Sequence, residues 1–131
     1  MIWHLDTNIV VAYLRGDRQA AEAIASHLPN VAISTIVLGE LLYGVRLSAR
    51  REENWRQLRE LVSLVEVAPF DAGCAEAYAQ IRADLHREGR TGSAVDLWIA
   101  AASVTADAVL VTHNVRHFEG IERLRVEDWL G

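Results

Sequence analysis

The amino-acid sequence predicts an α/β fold with a short, mostly parallel β-sheet. The prediction rests on apolar runs of only three or four residues, on longer segments whose apolar residues recur at helical spacing, and on the alternation of the two kinds of segment along 131 residues. Strands covered by helices on both faces are apolar throughout, as these runs are. The chain contains no repeat, low-complexity stretch or linker, so we expect a single domain over residues 1–131.

The first half of the chain begins with strand, turn and helix. Ile2–Leu5 is an apolar run that ends abruptly at Asp6, and Ile9–Leu14 predicts a helix that stops before Gly16. The following segments are predicted from their composition and apolar spacing: a helix over 19–28, a strand over 31–33, a helix capped by Ser34 or Thr35 and running to about Leu47, and a helix over 50–65.

The second half repeats the alternation. Glu66–Pro69 suggests a short strand, Asp71 opens a long helix to about Glu88, and Ser93 begins a helix through about Ala106. Val109–Val111 is a further strand, and a weak strand signal lies over Leu124–Val126.

The composition narrows the class of protein. Hydrophobic residues make up 51% of the chain and charged residues 24%, which is typical of a globular domain. A single cysteine, Cys74, excludes an internal disulfide framework and fits a reducing compartment. No apolar stretch approaches the ~20 residues of a membrane-spanning helix, and Met1–Asp6 does not resemble a secretory signal. We therefore expect a cytoplasmic protein.

The net charge is −5, and all 13 basic residues are arginine. A negative chain is not an obvious nucleic-acid binder, because phosphates favour a basic surface. Clustered acids that hold divalent cations would reverse the local field. The net charge alone therefore does not decide whether the chain binds a nucleic acid.

Two acids of the first half are candidates for such a cluster. Asp6 follows the first strand, at the edge where open α/β sheets bind ligands, although it could simply cap the next helix. Glu40 lies between Gly39 and Gly44, which cost a helix roughly 1 kcal/mol each relative to alanine. Because glycine has no side chain, these two positions would leave room for another backbone, a metal or a substrate. Ordinary packing of the helix would also explain the two glycines.

The third candidate is Asp96. Three residues after Ser93, it could belong to a capping box, and an acid in the first turn also suits the helix dipole. The continuation Leu97–Ala102 is apolar all round, which predicts a buried helix. A carboxylate at the start of a buried helix needs a partner, and a cation shared with Asp6 would provide one.

Such a set of acids suits phosphodiester hydrolysis. Mg²⁺ takes oxygen ligands and often only one or two protein carboxylates, and a bound metal activates water and stabilises the leaving oxygen. In this interpretation Asp6 and Asp96 bind the metal directly. Glu40 binds it through water or positions the nucleophile.

Four motifs occur in an order that resembles the PIN-domain family: Leu5–Asn8, Gly39–Gly44, Val95–Ala101 and Leu110–Asn114. The closing segment Leu124–Trp129 is similar to the tail of single-domain VapC-type toxins. The resemblance implies a three-layer α/β/α sandwich and an endoribonuclease dependent on Mg²⁺ or Mn²⁺. It also implies a toxin inhibited by a co-expressed antitoxin, and commonly a homodimer.

The resemblance assigns the catalytic roles to Asp6, Glu40 and Asp96, which match the motifs. The family often has a fourth acid where this chain has Asn114 or His117, which puts a second metal site in doubt. Candidate auxiliary residues are Asn8, Thr112, Asn114 and His117; candidate contacts for RNA or antitoxin are Arg82 and Arg116.

The four tryptophans could stack on bases, but we expect at least three of them in the core, because they lie within apolar patterns. Two other functions remain as alternatives. A non-catalytic binding module with the same fold would explain the missing fourth acid. A Mg²⁺-dependent phosphoryl-transfer domain would use Asp6 as nucleophile, but it normally requires a lysine, and this chain has none.

Overall fold

A five-stranded parallel sheet forms the centre of the molecule, which confirms the predicted fold class. The computed structural model describes residues 1–131, and the strand order is β3-β2-β1-β4-β5. Every neighbouring pair is parallel, so the sheet is parallel throughout rather than mostly so. The strands are β1 (Trp3–Leu5), β2 (Val31–Ser34), β3 (Glu66–Ala68), β4 (Val109–Val111) and β5 (Arg125–Glu127).

Six α-helices connect the strands: α1 (Thr7–Leu14), α2 (Arg18–His27), α3 (Thr35–Leu47), α4 (Arg51–Val62), α5 (Ala72–Arg87) and α6 (Ala94–Thr105). A 3-10 helix over Val115–Phe118 precedes β5. Ser34 and Ser93 cap α3 and α6 through their hydroxyls, as their positions in the sequence indicated. The helix predicted over 50–65 is shorter than expected: α4 ends at Val62, and the chain turns before β3.

The strand order places the helices in two layers. From β1 through β2 to β3 the chain moves toward one edge of the sheet, and from β3 to β4 it returns past β1 to the other side. Right-handed crossovers then put α1 to α4 on one face and α5 and α6 on the other. Contacts of α1 with α2 and α3, of α3 with α4, and of α5 with α6 agree with this division, and α3 also contacts α6 of the other layer. The result is the three-layer α/β/α sandwich that the resemblance implied.

The core is a cluster of 22 buried hydrophobic residues between these layers. The expectation for the tryptophans is wrong for two of the four. Trp3 and Trp129 pack against the core on either side of His27, with ring centroids 4.5 and 4.2 Å from the imidazole. Trp55 and Trp98, by contrast, remain 43% and 36% exposed. None of the helices has the length and apolarity needed to cross a membrane.

Candidate active site

The acidic site lies where the strand order reverses. The chain leaves β1 toward β2 on one side, while β4 pairs with β1 on the other, so a crevice opens beyond the carboxyl ends of β1 and β4. Ligands of open α/β sheets bind at such points. Asp6 follows β1 directly and Thr112 follows β4 directly, so the fold brings together two residues 106 positions apart.

Asp6 is fixed by hydrogen bonds to both carboxylate oxygens. Oδ1 accepts the backbone N–H of Thr7 at 2.8 Å, and Oδ2 accepts the Thr112 hydroxyl at 2.7 Å. The residue is only 5% exposed. Burial raises the pKa of the Asp6 carboxyl and the nearby charge of Asp96 raises it further, whereas the bonds from Thr112 and Thr7 and the His117 ring lower it. Because burial dominates, the ionised carboxylate lacks a sufficient counter-charge within the protein.

Asn8 and Thr112 orient Asp6, so the structure brings these two auxiliary candidates to the site. The Asn8 side-chain amide lies 3.3 Å from the Thr112 hydroxyl and 3.5 Å from Asp6 Oδ2. Its carbonyl oxygen accepts the backbone N–H of His113 at 3.1 Å. Thr112 is fully buried, and its hydroxyl also accepts the backbone N–H of Asn114. The chain after β4 is thus tied to the start of α1 through one polar network.

Glu40 reaches the site from α3. Its Oε1 accepts the hydroxyl of Thr7 at 2.6 Å, which links the second acid to the residue next to the first. Of the explanations for the neighbouring glycines, close packing of another backbone is wrong, since a Cβ at Gly39 or Gly44 would meet no atom within 4 Å. Gly44 and Glu40 instead border an open cavity of about 340 Å³.

Asp96 lies at the start of α6 and is not used as half of a capping box. The Ser93 hydroxyl accepts the Asp96 backbone N–H at 3.3 Å, but the Asp96 carboxylate does not bond back to Ser93. Its Oδ2 lies 3.3 Å from Nδ1 of His117 instead, and its side chain is 23% exposed. Burial raises the pKa of Asp96, the His117 charge lowers it and the Glu40 charge raises it.

The three candidate acids therefore share one electrostatic neighbourhood. Asp96 acts on the pKa of Asp6, Glu40 acts on that of Asp96, and Thr7 joins Glu40 to the backbone beside Asp6. No three acid, histidine or cysteine side chains are grouped tightly enough to form a complete ligand set for a metal. A magnesium-type site does not require one, because this ion often takes one or two carboxylates and completes its shell with water.

The remaining predicted residues divide between the site and its surroundings. His117 pairs with Asp96, and Arg116 lines a depression beside it. Asn114 bonds to the network through its backbone N–H, whereas its side chain makes no hydrogen bond. Arg82 lies away from the acids: on α5 it donates to the Tyr78 hydroxyl at 2.5 Å and stacks over that ring.

Sequence reasoning missed Thr7 as a functional residue. The signal was present, since Thr7 stands between Asp6 and Asn8 in the first motif. A hydroxyl at the first position of a helix looks like an ordinary capping group, however, and its bond to Glu40 joins residues 33 positions apart.

Comparison with known proteins agrees with this arrangement. The sequence profile of the PIN domain matches residues 4–124. Ribonuclease VapC2 of Rickettsia felis is 36% identical over 133 residues, which cover 98% of each chain. A tRNA(fMet)-specific endonuclease VapC of Shigella flexneri is 35% identical, over 95% of this chain and 96% of the relative. The crystal structure of VapBC2 from Rickettsia felis bound to a promoter DNA fragment contains a chain that superposes with a TM-score of 0.92 at 35% identity, over 98% of this chain and 99% of that one.

Proposed function

The chain belongs to the PIN-domain family, and from this premise we propose that it is a metal-dependent endoribonuclease of the VapC kind. The observation that carries the proposal is the pair Asp6 and Asp96, two partly or fully buried carboxylates whose pKa values are both raised, at the ligand-binding edge of a parallel sheet. Perturbed carboxyls in a crevice are typical of functional sites. Relatives named as ribonucleases supply the reaction class.

The residues present fit Mg²⁺ or Mn²⁺. Every donor in the cluster is an oxygen or a single imidazole, and hard divalent cations prefer oxygen. Burial without a sufficient counter-charge raises the pKa values of Asp6 and Asp96, and a divalent cation would supply that charge. Asp6 and Asp96 would hold the ion. When bound, the metal would make a water molecule more acidic and stabilise the charge on the leaving oxygen.

The protein side chains divide the remaining tasks. Asp6 is held rigid by Thr7 and Thr112, so it defines where the ion lies. Glu40 is oriented by the Thr7 hydroxyl and keeps its second oxygen, Oε2, to accept a proton from an attacking water. His117 keeps Asp96 in position and can donate to a phosphate oxygen. A second metal ion is not part of the proposal, because Asn114 and His117 provide no fourth carboxylate.

The test is cleavage of RNA with and without Mn²⁺, combined with calorimetric measurement of Mn²⁺ binding. Initiator tRNA is the first substrate to try, since the Shigella flexneri relative is named for it. Asp6→Asn and Asp96→Asn should each reduce cleavage at least 100-fold and weaken Mn²⁺ binding, because each removes a negative ligand. Asp84→Asn, an exposed acid on α5, is the matched control.

Full activity in both site variants, with contaminating nucleases excluded, would contradict the assignment. Mn²⁺ binding without cleavage of any RNA in a broad panel would favour the non-catalytic binding module instead.

We further propose that the chain is the toxin of a toxin–antitoxin pair, in which an antitoxin of the VapB kind inhibits it. Several structurally similar proteins are described as VapBC complexes, which supports such a partner. Expression of the chain alone should arrest bacterial growth, and Asp6→Asn should relieve the arrest. Normal growth at high expression would remove the toxin role and leave the nuclease role standing. A single domain, a homodimer and a cytoplasmic location remain predictions.

A further inference from the structure

A depression of about 310 Å³ lies directly beside the acidic site. Asp96 and His117 form its border with the site, and the loop Thr91–Ser93 forms one wall. Two arginines, Arg90 and Arg116, contribute to the lining, together with one further acid, Glu119. Positive side chains from the loop after α5 and from the 3-10 helix thus line the same depression, next to a carboxylate that we assign to the metal.

Neither arginine is neutralised by a carboxylate. The ion pairs of the molecule within 4.0 Å involve Arg50, Arg87 and Arg125, and two histidines, but not Arg90 or Arg116. Both side chains are exposed, and the guanidinium of Arg116 makes no hydrogen bond within the protein. The chain has a net charge of −5, but these two unpaired arginines give the edge of the acidic site a local positive charge. Such a charge attracts the phosphates of a nucleic acid.

Arg90 is also held in place. One of its terminal nitrogens, Nη2, donates to the backbone carbonyl of Glu119 at 2.9 Å. The other terminal nitrogen, Nη1, occupies the space next to Gly120 where a side chain would begin: a Cβ on Gly120 would lie 1.6 Å from it. Gly120 has a φ of +84°, a conformation that favours glycine, so the turn also leaves space for the guanidinium. A guanidinium has five N–H donors, and this contact uses one of them.

From these contacts we infer that the depression binds a backbone phosphate of the RNA adjacent to the phosphate that is cleaved, with Arg90 and Arg116 as its ligands. The inference rests on the proposed nuclease function and adds to it how the substrate strand is aligned. Arg90 is pre-ordered by Glu119 and Gly120, so binding costs it less side-chain entropy than a free arginine would lose. Arg116 has no side-chain partner and would bind the phosphate from the 3-10 helix.

The experiment measures RNA binding without cleavage. The full chain is titrated against a fluorescein-labelled single-stranded RNA of 12 nucleotides in EDTA, with fluorescence anisotropy as the signal and KCl varied from 25 to 200 mM. Arg90→Met and Arg116→Met should each weaken binding on the order of fivefold at low salt and flatten the salt slope by at most about 0.7, the value for complete loss of the one phosphate contact that the two arginines share. Arg90→Lys should bind more weakly than the native chain, because lysine cannot bond the Glu119 carbonyl and a phosphate in the same fork geometry.

Arg123→Met is the matched control. It removes the same charge from an exposed position that borders a different depression, so it reports the effect of net charge alone. Circular dichroism checks that each variant is folded. If Arg90→Met fails to fold, Arg116→Met decides the question, because its side chain makes no contact that the fold needs.

Binding and salt slopes of Arg90→Met and Arg116→Met that match those of Arg123→Met would overturn the inference. The outcome is independent of the nuclease proposal, since EDTA removes the metal. Failure of the nuclease proposal would appear as absent Mn²⁺-dependent cleavage with the arginine effects intact. Failure of the subsite would appear as normal cleavage with the arginine effects absent.

Discussion

The two sides of the candidate active site differ in how deeply their titratable side chains are buried. At the end of β1, Asp6 and Thr112 are buried, and burial pushes the Asp6 carboxyl toward its neutral form, as it does the imidazole of His4 within β1. At the start of α6, Asp96 and His117 are partly exposed and form an ion pair when the histidine is protonated. In the proposed mechanism the first side is the rigid anchor for the cation, with Asp96 as its second ligand, and the second side is the face that a substrate approaches. Apart from substitution of Asp96, which is also a proposed metal ligand, perturbations of the buried side should have the larger effects.

The largest effect should come from the metal itself. Mn²⁺ at 100 times its dissociation constant should raise the free energy of unfolding by about 2.7 kcal/mol at neutral pH, because it binds only the folded chain. Asp6→Asn should remove this stabilisation. In metal-free buffer the same variant should be at least as stable as the native protein, since an ionised carboxylate with a raised pKa opposes folding at pH 7. Thermal unfolding with and without Mn²⁺ measures both effects; unchanged stabilisation in Asp6→Asn would contradict the anchor role.

The second effect concerns acid. Burial lowers the pKa of His4 to about 4, from the usual 6.5. Below pH 6.5 His4 is protonated in the unfolded chain, whereas in the folded chain it stays neutral down to about pH 4. The free energy of unfolding therefore decreases as the pH falls through this window. Between pH 7.5 and 5 the loss should be roughly 2 kcal/mol.

His4→Leu isolates this contribution, because it removes the imidazole and retains a buried side chain of similar size. Asp6 acts in the opposite direction, since its raised pKa favours the folded state as the pH falls, but it does so in both proteins. Urea unfolding at the two pH values should show a smaller acid-induced loss of stability in His4→Leu than in the native chain. Equal losses would show that His4 does not titrate in this way.

The third effect tests the orientation of the anchor. Thr112→Val removes the hydroxyl that donates to Asp6 Oδ2 and keeps the shape of the side chain. Mn²⁺ affinity should fall about tenfold, the lower end of the range for residues that orient metal ligands. Thr105→Val is the matched control, because that hydroxyl bonds only to a backbone carbonyl within α6. An affinity loss of the same size in the control would point to general destabilisation.

The smallest effect is expected on the exposed side. His117→Gln removes the partner of Asp96, and a partly exposed ion pair of this kind is worth at most about 1 kcal/mol. Cleavage should therefore fall no more than about fivefold. His86→Gln on the outer side of α5 serves as control and should leave the rate unchanged. A loss of 100-fold in His117→Gln would instead assign the imidazole a direct role in the reaction.

Much of the fold was predictable because its signals are local. Ile2–Leu5 and Val109–Val111 are apolar runs too short for helices, and Ser34 and Ser93 stand where helix caps belong. Trp55 shows where local reasoning was wrong. Its helical spacing matched the apolar face, but Leu58 and Leu61 are the residues of α4 that are buried in the core, and the indole remains 43% exposed.

In the candidate site, too, some residues were predictable from local signals and others were not. Asp6 was predictable, because the end of a buried strand fixes both its position and its burial. The parallel sheet itself joined the end of β1 to that of β4, so Thr112 could be expected near Asp6 once the strands were known. The partner of Asp96 was not predictable, since His117 lies on the separate 3-10 helix after β4, and the sequence had indicated a cation or a helix cap instead.

The sequence by itself determined the alternation of strands and helices and the local positions of the three acids: Asp6 after a strand, Glu40 inside a helix and Asp96 at a helix start. These features depend on spacing within a few residues. Only the tertiary structure decided that Thr7 bonds Glu40, that His117 faces Asp96 and that Arg90 lies against Gly120. Each of these contacts joins segments more than 20 residues apart. Their geometry depends on how the layers pack and where the loops lie. The periodicity of apolar residues along the chain does not determine either.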